Sequence, residues 1–146
     1  MVPTRFGLTH VSVAGDASAP PVLLLHGAGA SSAMWGAMTC LLRSSYRVIV
    51  PDEVGEVGRS ELDRMPKNAA EVVEWVREVL QGVGHRQVAV VGMSYGAWIA
   101  SQVAAEAPEL VSRLVLVSPA GVFAPLTLGF AARVIPAVLY PTESMI

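Results

Sequence analysis

Short, nearly unbroken apolar runs alternate along this chain with stretches that repeat at the period of an α-helix, and this alternation limits the fold more than any other feature. The apolar runs occupy residues 22–25, 47–50, 88–91 and 114–117. A run without polar alternation is typical of a strand that is buried on both faces of a parallel sheet. Each run ends at a polar, Gly or Pro residue, where a loop is expected.

Helical patterns fill the gaps between these runs. Residues 69–83 place apolar side chains at i, i+3, i+4 and i+7, and Asn68 can cap this helix. Residues 95–107 are rich in small side chains, and residues 32–43 predict a third helix. An alternating segment at residues 10–13 predicts a half-exposed strand. The predicted fold class is therefore α/β, with a mostly parallel sheet between two layers of helices.

Composition excludes several classes of protein. The chain is 53% hydrophobic and 15% charged, with a net charge of -2, so neither disorder nor nucleic-acid binding is expected. Residues 121–140 are apolar, but two prolines and Arg133 interrupt them, and no membrane span is expected. Cys40 is the single cysteine, which rules out an internal disulfide, and no secretory signal opens the chain, so we predict a cytoplasmic location. No metal-ligand spacing or phosphate loop is present, and no cofactor or metal is expected.

The third apolar run leads directly into a G-x-S-x-G motif, Gly92-Met93-Ser94-Tyr95-Gly96. A serine on a sharp strand-to-helix turn needs small neighbours, which the glycines two positions before and after it provide. The helix that follows favours negative charge at its N-terminus. This arrangement predicts Ser94 as a nucleophile.

The first apolar run leads into a second glycine-containing loop, HGAGASS at residues 26–32. In one interpretation, the backbone N–H groups of Ala28 and Tyr95 converge on a carbonyl oxygen and form an oxyanion hole. His26 directly precedes the loop, and we expect it, together with Gly27, to hold the loop in place rather than to act as a base.

A dinucleotide-binding fingerprint is the rival interpretation of the same loop. Gly27-x-Gly29-x-x-Ser32 follows a strand, and Asp52 ends the next strand, where a ribose-binding acid would lie. The third position is Ser32 rather than Gly or Ala, and this interpretation gives Ser94 no role. The oxyanion interpretation is therefore favoured.

Taken together, four ordered motifs resemble the α/β-hydrolase superfamily: HGAGASSAMW, PDEVGEVGRS, GMSYGAW and SPAGVF, each following a predicted strand. The second motif has one residue more than the common D-x-x-G-x-G-x-S form, and with the last motif it looks most like bacterial carboxylesterases. The resemblance implies a three-layer fold with an eight-stranded, mostly parallel sheet, a helical cap and a Ser–acid–His triad.

The resemblance assigns roles residue by residue. Ser94 is the nucleophile, and Ala28 and Tyr95 supply the oxyanion N–H groups. Met93 and Trp35 are placed near the acyl pocket. The supporting positions are His26, Gly27, Gly92 and Gly96. Residues 1–120 correspond to the N-terminal half of the core, which ends after about five strands, and residues 121–146 correspond to the start of the cap.

Neither the acid nor the histidine of the triad has a counterpart in this sequence, since none of the acids after Ser94 (Glu106, Glu109 and Glu143) lies just past a predicted strand. The superfamily orders its triad Ser, acid, His, whereas His10, His26 and His85 all precede Ser94. We therefore expect a serine hydrolase of small ester or acyl substrates that is catalytically incomplete in this 146-residue form, with no product burst on a p-nitrophenyl ester. The alternative is a non-catalytic half-domain that binds acyl ligands or a partner chain, with self-association through its exposed apolar surface. A cofactor-free lyase or oxygenase on the same fold is a third possibility.

Overall fold

The computed structural model describes residues 1–122 and Gly129. Its helices are α1 (Gly36–Leu42), α2 (Ala69–Gly82) and α3 (Tyr95–Glu106). Its strands are β1 (Val2–Thr4), β2 (Gly7–Thr9), β3 (Val11–Ala14), β4 (Pro21–Leu25), β5 (Arg47–Pro51), β6 (Glu61–Leu62), β7 (Val88–Met93) and β8 (Val111–Val117).

Five strands form the main sheet, in the order β3-β5-β4-β7-β8. Strands β5, β4, β7 and β8 are parallel, and β3 is antiparallel to β5. The register pairs Leu25 with Gly92 and Met93 with Val117, so that the strands end together at one edge of the sheet. In parallel sheets this carboxyl edge is where ligands bind. The α/β fold class predicted from the sequence is confirmed.

Two hydrophobic clusters hold the helices on the sheet. On one face, α2 and α3 pack against side chains of β4, β5 and β7. The most buried members of this cluster are Phe6, Leu23, Leu25, Ile49, Trp75, Val76, Leu80, Val90, Ile99 and Val103. The second cluster is smaller and contains Val22, Leu24, Trp35, Val48 and Val50. Alternate residues of β4 belong to different clusters, as expected for a strand buried on both faces.

Helix α2 shows how the sequence pattern becomes structure. The Asn68 side chain accepts a hydrogen bond from the Glu71 N–H at 3.0 Å, so the predicted cap is confirmed. Its apolar stripe is buried against the sheet and α3. Its polar face carries ion pairs, including Arg5 with Glu78 at 2.7 Å. The helix ends at Gly82, inside the predicted interval of residues 69–83.

Two features differ from the sequence prediction. A small antiparallel sheet, β1-β2-β6, was not predicted because its strands are only two or three residues long. The helix predicted at residues 32–43 is a 3₁₀ turn, Ser32–Trp35, followed by α1. The predicted cap, residues 121–146, lies almost wholly outside the described residues. Within residues 1–122 no helix has the length and apolar character needed to cross a membrane.

Candidate active site

Ser94 lies at the sharp junction between β7 and α3. Its backbone has φ 53° and ψ -112°, a combination that non-glycine residues rarely adopt. The strain is held by neighbouring backbone: the Ser94 N–H donates to Val117 O at 3.0 Å, and the Ser94 carbonyl accepts from the Ala97 and Ala120 N–H groups at 3.2 and 3.3 Å. Strain of this kind is maintained where the surrounding structure enforces it, and it is concentrated at functional sites.

The two glycines of the motif make this turn possible. A Cβ at Gly92 would lie 2.6 Å from Ala97 Cα, and a Cβ at Gly96 would lie 2.5 Å from Leu25 O. Both distances are well inside van der Waals contact. The glycines therefore allow α3 to start directly against the ends of β4 and β7, which places Ser94 at the carboxyl edge.

The loop after β4 lies beside the serine. Gly96 donates its N–H to His26 O at 2.9 Å, which ties the start of α3 to the start of the loop. A Cβ built on Gly27 would lie 3.5 Å from Ser94 Cβ. The loop predicted as the oxyanion loop and the serine predicted as the nucleophile are thus brought together.

Two backbone donors stand free at this junction. Neither the Ala28 nor the Tyr95 N–H donates a hydrogen bond among the described residues. The N–H of Tyr95 is free because Tyr95 is the first residue of α3 and has no acceptor in the helix. The Tyr95 ring stacks on Trp98, with centroids 5.5 Å apart, which holds the first turn of α3.

His26 is fully buried and uses both ring nitrogens to support the loop. Nε2 accepts a hydrogen bond from the Glu53 N–H at 3.0 Å, and Nδ1 lies 2.9 Å from Gly27 O. Because Nε2 is an acceptor here, the ring proton is on Nδ1, which donates to Gly27 O. The ring is neutral in this arrangement, and neither nitrogen is available to take a proton from Ser94.

The turn after β5 supports the loop from its other side. The Glu56 carboxylate accepts a hydrogen bond from the Gly29 N–H at 2.7 Å, and the Glu56 N–H donates to Glu53 O at 3.1 Å. The sequence did not single out either glutamate. The only signal was the extra residue of the PDEVGEVGRS motif relative to the common form.

Glu53 is the unusual group of this turn. Its side chain is 0% exposed, and neither carboxyl oxygen has a hydrogen-bond partner among the described residues. Burial, and then the negative charge of Glu56, raises the pKa of Glu53 from its ordinary value of 4.5 to about 9. Burial, followed by the charges of Glu53 and Glu56, also raises the pKa of the Tyr95 hydroxyl.

Asp52 is committed to the loop structure. One oxygen accepts from the Ser32 N–H at 2.7 Å, the other from the Arg59 N–H at 2.8 Å, and His10 Nδ1 lies 3.0 Å from the second oxygen. Burial raises the pKa of Asp52, but these hydrogen bonds and His10 outweigh it, so the pKa lies below its ordinary value. Both oxygens are occupied, which argues against the ribose-binding role of the rival interpretation.

The other two histidines lie away from Ser94. His10 precedes β3, which is separated from β7 by three strand spacings, or about 14 Å. His85 precedes β7 at its amino end, and the six residues of this strand span about 17 Å. No histidine among residues 1–122 is therefore placed to act as the base for Ser94.

The two predicted pocket residues have different surroundings. Met93 is 37% exposed at the end of β7, next to Ser94. Trp35 is 7% exposed and packs with Val22, Leu24 and other members of the second cluster. This placement gives Trp35 a packing role. Across residues 1–122 there is no group of three or more His, Cys, Asp or Glu side chains that could hold a metal ion.

Comparisons with known proteins agree with this fold. A family model for the alpha/beta hydrolase fold matches residues 20–142. Carboxylesterase YbfK of Bacillus subtilis is 34% identical over 122 residues, which are 84% of this chain and 41% of that protein. A 2-hydroxymuconate semialdehyde hydrolase of Pseudomonas putida is 40% identical over 112 residues, which are 75% of this chain and 40% of that protein.

Solved structures give the same result. The crystal structure of naproxen esterase from Bacillus subtilis matches with a TM-score of 0.87 at 30% identity, and the match covers 92% of this chain and 47% of that one. The chain thus spans less than half the length of each of these three relatives.

Proposed function

We propose, since this chain belongs to the α/β-hydrolase family, that it carries the nucleophile and the oxyanion donors of a serine carboxylesterase. The relatives named as carboxylesterases support the substrate class, which is small carboxylic esters. The observation that carries the proposal is the strained backbone of Ser94, with φ 53°, at the N-terminus of α3 and next to the loop after β4; within the described residues the N–H groups of Ala28 and Tyr95 have no acceptor.

Each part of this site has a role in acyl transfer. The Ser94 Oγ attacks the carbonyl carbon of the ester, and its proton passes to a general base. The carbonyl oxygen gains the negative charge, which the N–H groups of Ala28 and Tyr95 and the positive end of the α3 dipole stabilise. When the tetrahedral intermediate collapses, the C–O bond to the alcohol breaks and the alcohol leaves with a proton. Water then hydrolyses the acyl-Ser94 ester.

The general base is not among the residues that the structure places at this edge. His26 is committed to Gly27 and Glu53, and no histidine follows Ser94 in the 146 residues. A serine with an oxyanion hole but no base retains only about 10³ to 10⁴-fold catalysis over water. We therefore expect the 146-residue chain, assayed by itself, to give no burst of product with a p-nitrophenyl ester.

Selective but slow modification of Ser94 by a fluorophosphonate tests the proposal. The expected product carries one phosphonyl group, which peptide mass spectrometry places on Ser94, and the variant Ser94→Ala is not modified. Ser118 is the matched control, since it also follows a strand and also has positive φ, of 45°. Ser118→Ala should react as the unaltered chain does.

Two results would contradict this proposal. Equal modification of Ser94 and Ser118 would show that the elbow confers no special reactivity. Modification of Ser94 at the rate of an intact esterase would show that the 146 residues already contain a working base, against the assignment of all three histidines.

A second candidate function is a binding unit that associates with another copy of itself. Strand β8 is the last strand of the described sheet, and Leu114, Val115 and Val117 on it are 39%, 50% and 40% exposed. An exposed apolar edge strand favours pairing with another chain. Light scattering after size exclusion should then show a dimer that Val115→Lys dissociates, whereas a monomer at all concentrations would exclude this function.

A further inference from the structure

The turn of residues 53–56 and the oxyanion loop of residues 26–29 form one hydrogen-bonded unit. The turn reaches the loop at two points: the Glu53 N–H binds the His26 ring, and the Glu56 carboxylate binds the Gly29 N–H. The His26 ring in turn binds Gly27 O. The turn therefore fixes the loop by hydrogen bonds, and the conformation of the loop depends on the conformation of the turn.

Glu53 places a carboxyl group inside this unit without any counter-charge. The nearest ring nitrogen is His26 Nδ1, 4.0 Å from Glu53 Oε2. The N–H at Nδ1 already donates a hydrogen bond to Gly27 O. If His26 gained a second proton, Nε2 would lose its hydrogen bond from the Glu53 N–H. The other charged group that affects Glu53 is the carboxylate of Glu56, which has the same sign. The backbone of His26 favours the charged form of Glu53, but burial and the charge of Glu56 outweigh it.

We propose that Glu53 is a positioning residue that works as a neutral carboxylic acid, so that Glu56 alone carries the charge of the pair and keeps its bond to the Gly29 N–H. The proposal rests on the oxyanion role given above to this loop. Ionisation of Glu53 would place two negative charges in one turn, and their repulsion would draw Glu56 away from Gly29. The loop would then lose the hydrogen bond from the Gly29 N–H to Glu56, which is one of the three hydrogen bonds of this unit.

Ionisation of Glu53 would also disfavour the negative charge that develops on the substrate oxygen. After burial, the charges of Glu53 and Glu56 raise the pKa of the hydroxyl of Tyr95, the residue whose N–H is the proposed oxyanion donor. The negative charge that develops on the substrate oxygen would be bound by the Tyr95 N–H, within this field. A second negative charge there would disfavour the oxyanion, and we expect the rate of serine modification to fall about tenfold or more.

The proton on Glu53 can be observed without any catalysis. In a chain labelled with ¹³C at the glutamate carboxyls, the Glu53 resonance, identified by its absence in Glu53→Gln, should keep the shift of a protonated acid near neutrality and titrate with a midpoint at about pH 9. The Gly29 amide resonance should move with the same midpoint in the unaltered chain. It should not move at that pH in Glu53→Gln, where the group stays neutral.

Two further variants separate a positioning role from a merely structural one. Glu56→Gln removes the charge that acts on Glu53, so the Glu53 titration should move to lower pH. Glu61→Gln removes an exposed glutamate of β6 and should leave it unchanged. Sequential assignment of the labelled, unaltered chain identifies the Glu53 resonance where a variant fails to fold. Two results would overturn the proposal: a Glu53 carboxyl that ionises in the ordinary acidic range, or a Gly29 amide resonance that does not move when Glu53 ionises.

Serine modification gives the last readout. The rate of Ser94 phosphonylation, relative to its value near neutrality in the same chain, should decline above about pH 9 in the unaltered chain and show no such decline in Glu53→Gln. The same decline in both chains would overturn the proposal. Failure to modify Ser94 at any pH would instead contradict the proposed esterase function, and the resonances of Glu53 and Gly29 would still decide the role of Glu53.

Discussion

Replacing Glu53 by glutamine should change how the stability of the protein depends on pH. The pKa of Glu53 is about 9 in the folded chain and 4.5 ordinarily, so between these values the folded chain binds a proton that the unfolded chain has released. The free energy of unfolding therefore falls as pH rises through this window, by about 1.4 kcal/mol per pH unit. Between about pH 6 and about pH 8 the loss is roughly 2.7 kcal/mol, and glutamine, which does not ionise, avoids it.

Urea denaturation followed by circular dichroism at a series of pH values measures this effect. With an m-value of about 1–3 kcal/mol per molar, the loss corresponds to a fall in the unaltered chain's midpoint of about 1 M or more from pH 6 to pH 8, relative to Glu53→Gln. The comparison between the two chains cancels the titration of every group they share. The readout is how the difference in unfolding free energy between the two chains changes with pH, and not the absolute stability of Glu53→Gln.

Glu61→Gln is the matched control for the loss of a carboxylate. Glu61 is exposed, and its variant should keep the pH slope of the unaltered chain. A difference between Glu53→Gln and the unaltered chain that stays constant from pH 6 to pH 8 would refute the reasoning. It would mean that Glu53 has the same charge in the folded and unfolded states across this range.

Three other substitutions test a buried hydrogen bond, the turn at Ser94 and the N-cap of α2. Thr9→Val leaves the buried indole N–H of Trp75, which donates to the Thr9 hydroxyl at 2.9 Å, without a partner, and should cost about 1–3 kcal/mol of unfolding free energy in urea denaturation. Gly96→Ala places a methyl group against Leu25 O at 2.5 Å, so the start of α3 must shift; Ser94 phosphonylation should fall about tenfold or more while helix content by circular dichroism is retained. Asn68→Ala removes the side-chain cap of α2 and should cost about 1 kcal/mol, measured by urea denaturation, without changing Ser94 phosphonylation.

The strands and helices of the main sheet could be predicted because their patterns are local. The run at residues 88–91 lies inside β7, and the helical period at residues 69–83 corresponds to α2, since each pattern records which side chains face the sheet. The small sheet could not be predicted. Its β2 and β6 pair Gly7 with Leu62, positions far apart in sequence, through strands too short to show a period.

The candidate site was predictable only where backbone geometry restricts the residue type. The turn at Ser94 requires Gly92 and Gly96 because a Cβ at either position would collide with backbone atoms, and this requirement is visible as a motif. Glu53 leaves no such trace. A glutamate in a polar, glycine-containing segment is normally solvated, and its burial arises from the packing of the turn against the His26 ring, which no local pattern encodes.

Ser94 and Glu53 are held by different strands of the sheet. A change at one of them is therefore expected to leave the backbone conformation of the other in place. A non-glycine residue with positive φ costs about 1–3 kcal/mol, and at Ser94 the compensating hydrogen bonds come from Val117 and Ala120, at the end of β8. The oxyanion loop is joined to α3 by the hydrogen bond from the Gly96 N–H to His26 O, and the turn after β5 holds it through Glu53 and Glu56. Strands β5 and β8 lie on opposite sides of the central pair β4-β7. Disturbing the turn after β5 should therefore alter the oxyanion donor Ala28 and leave the backbone of Ser94 in place, because in the described part of the chain no hydrogen bond joins residues 53–56 to Ser94.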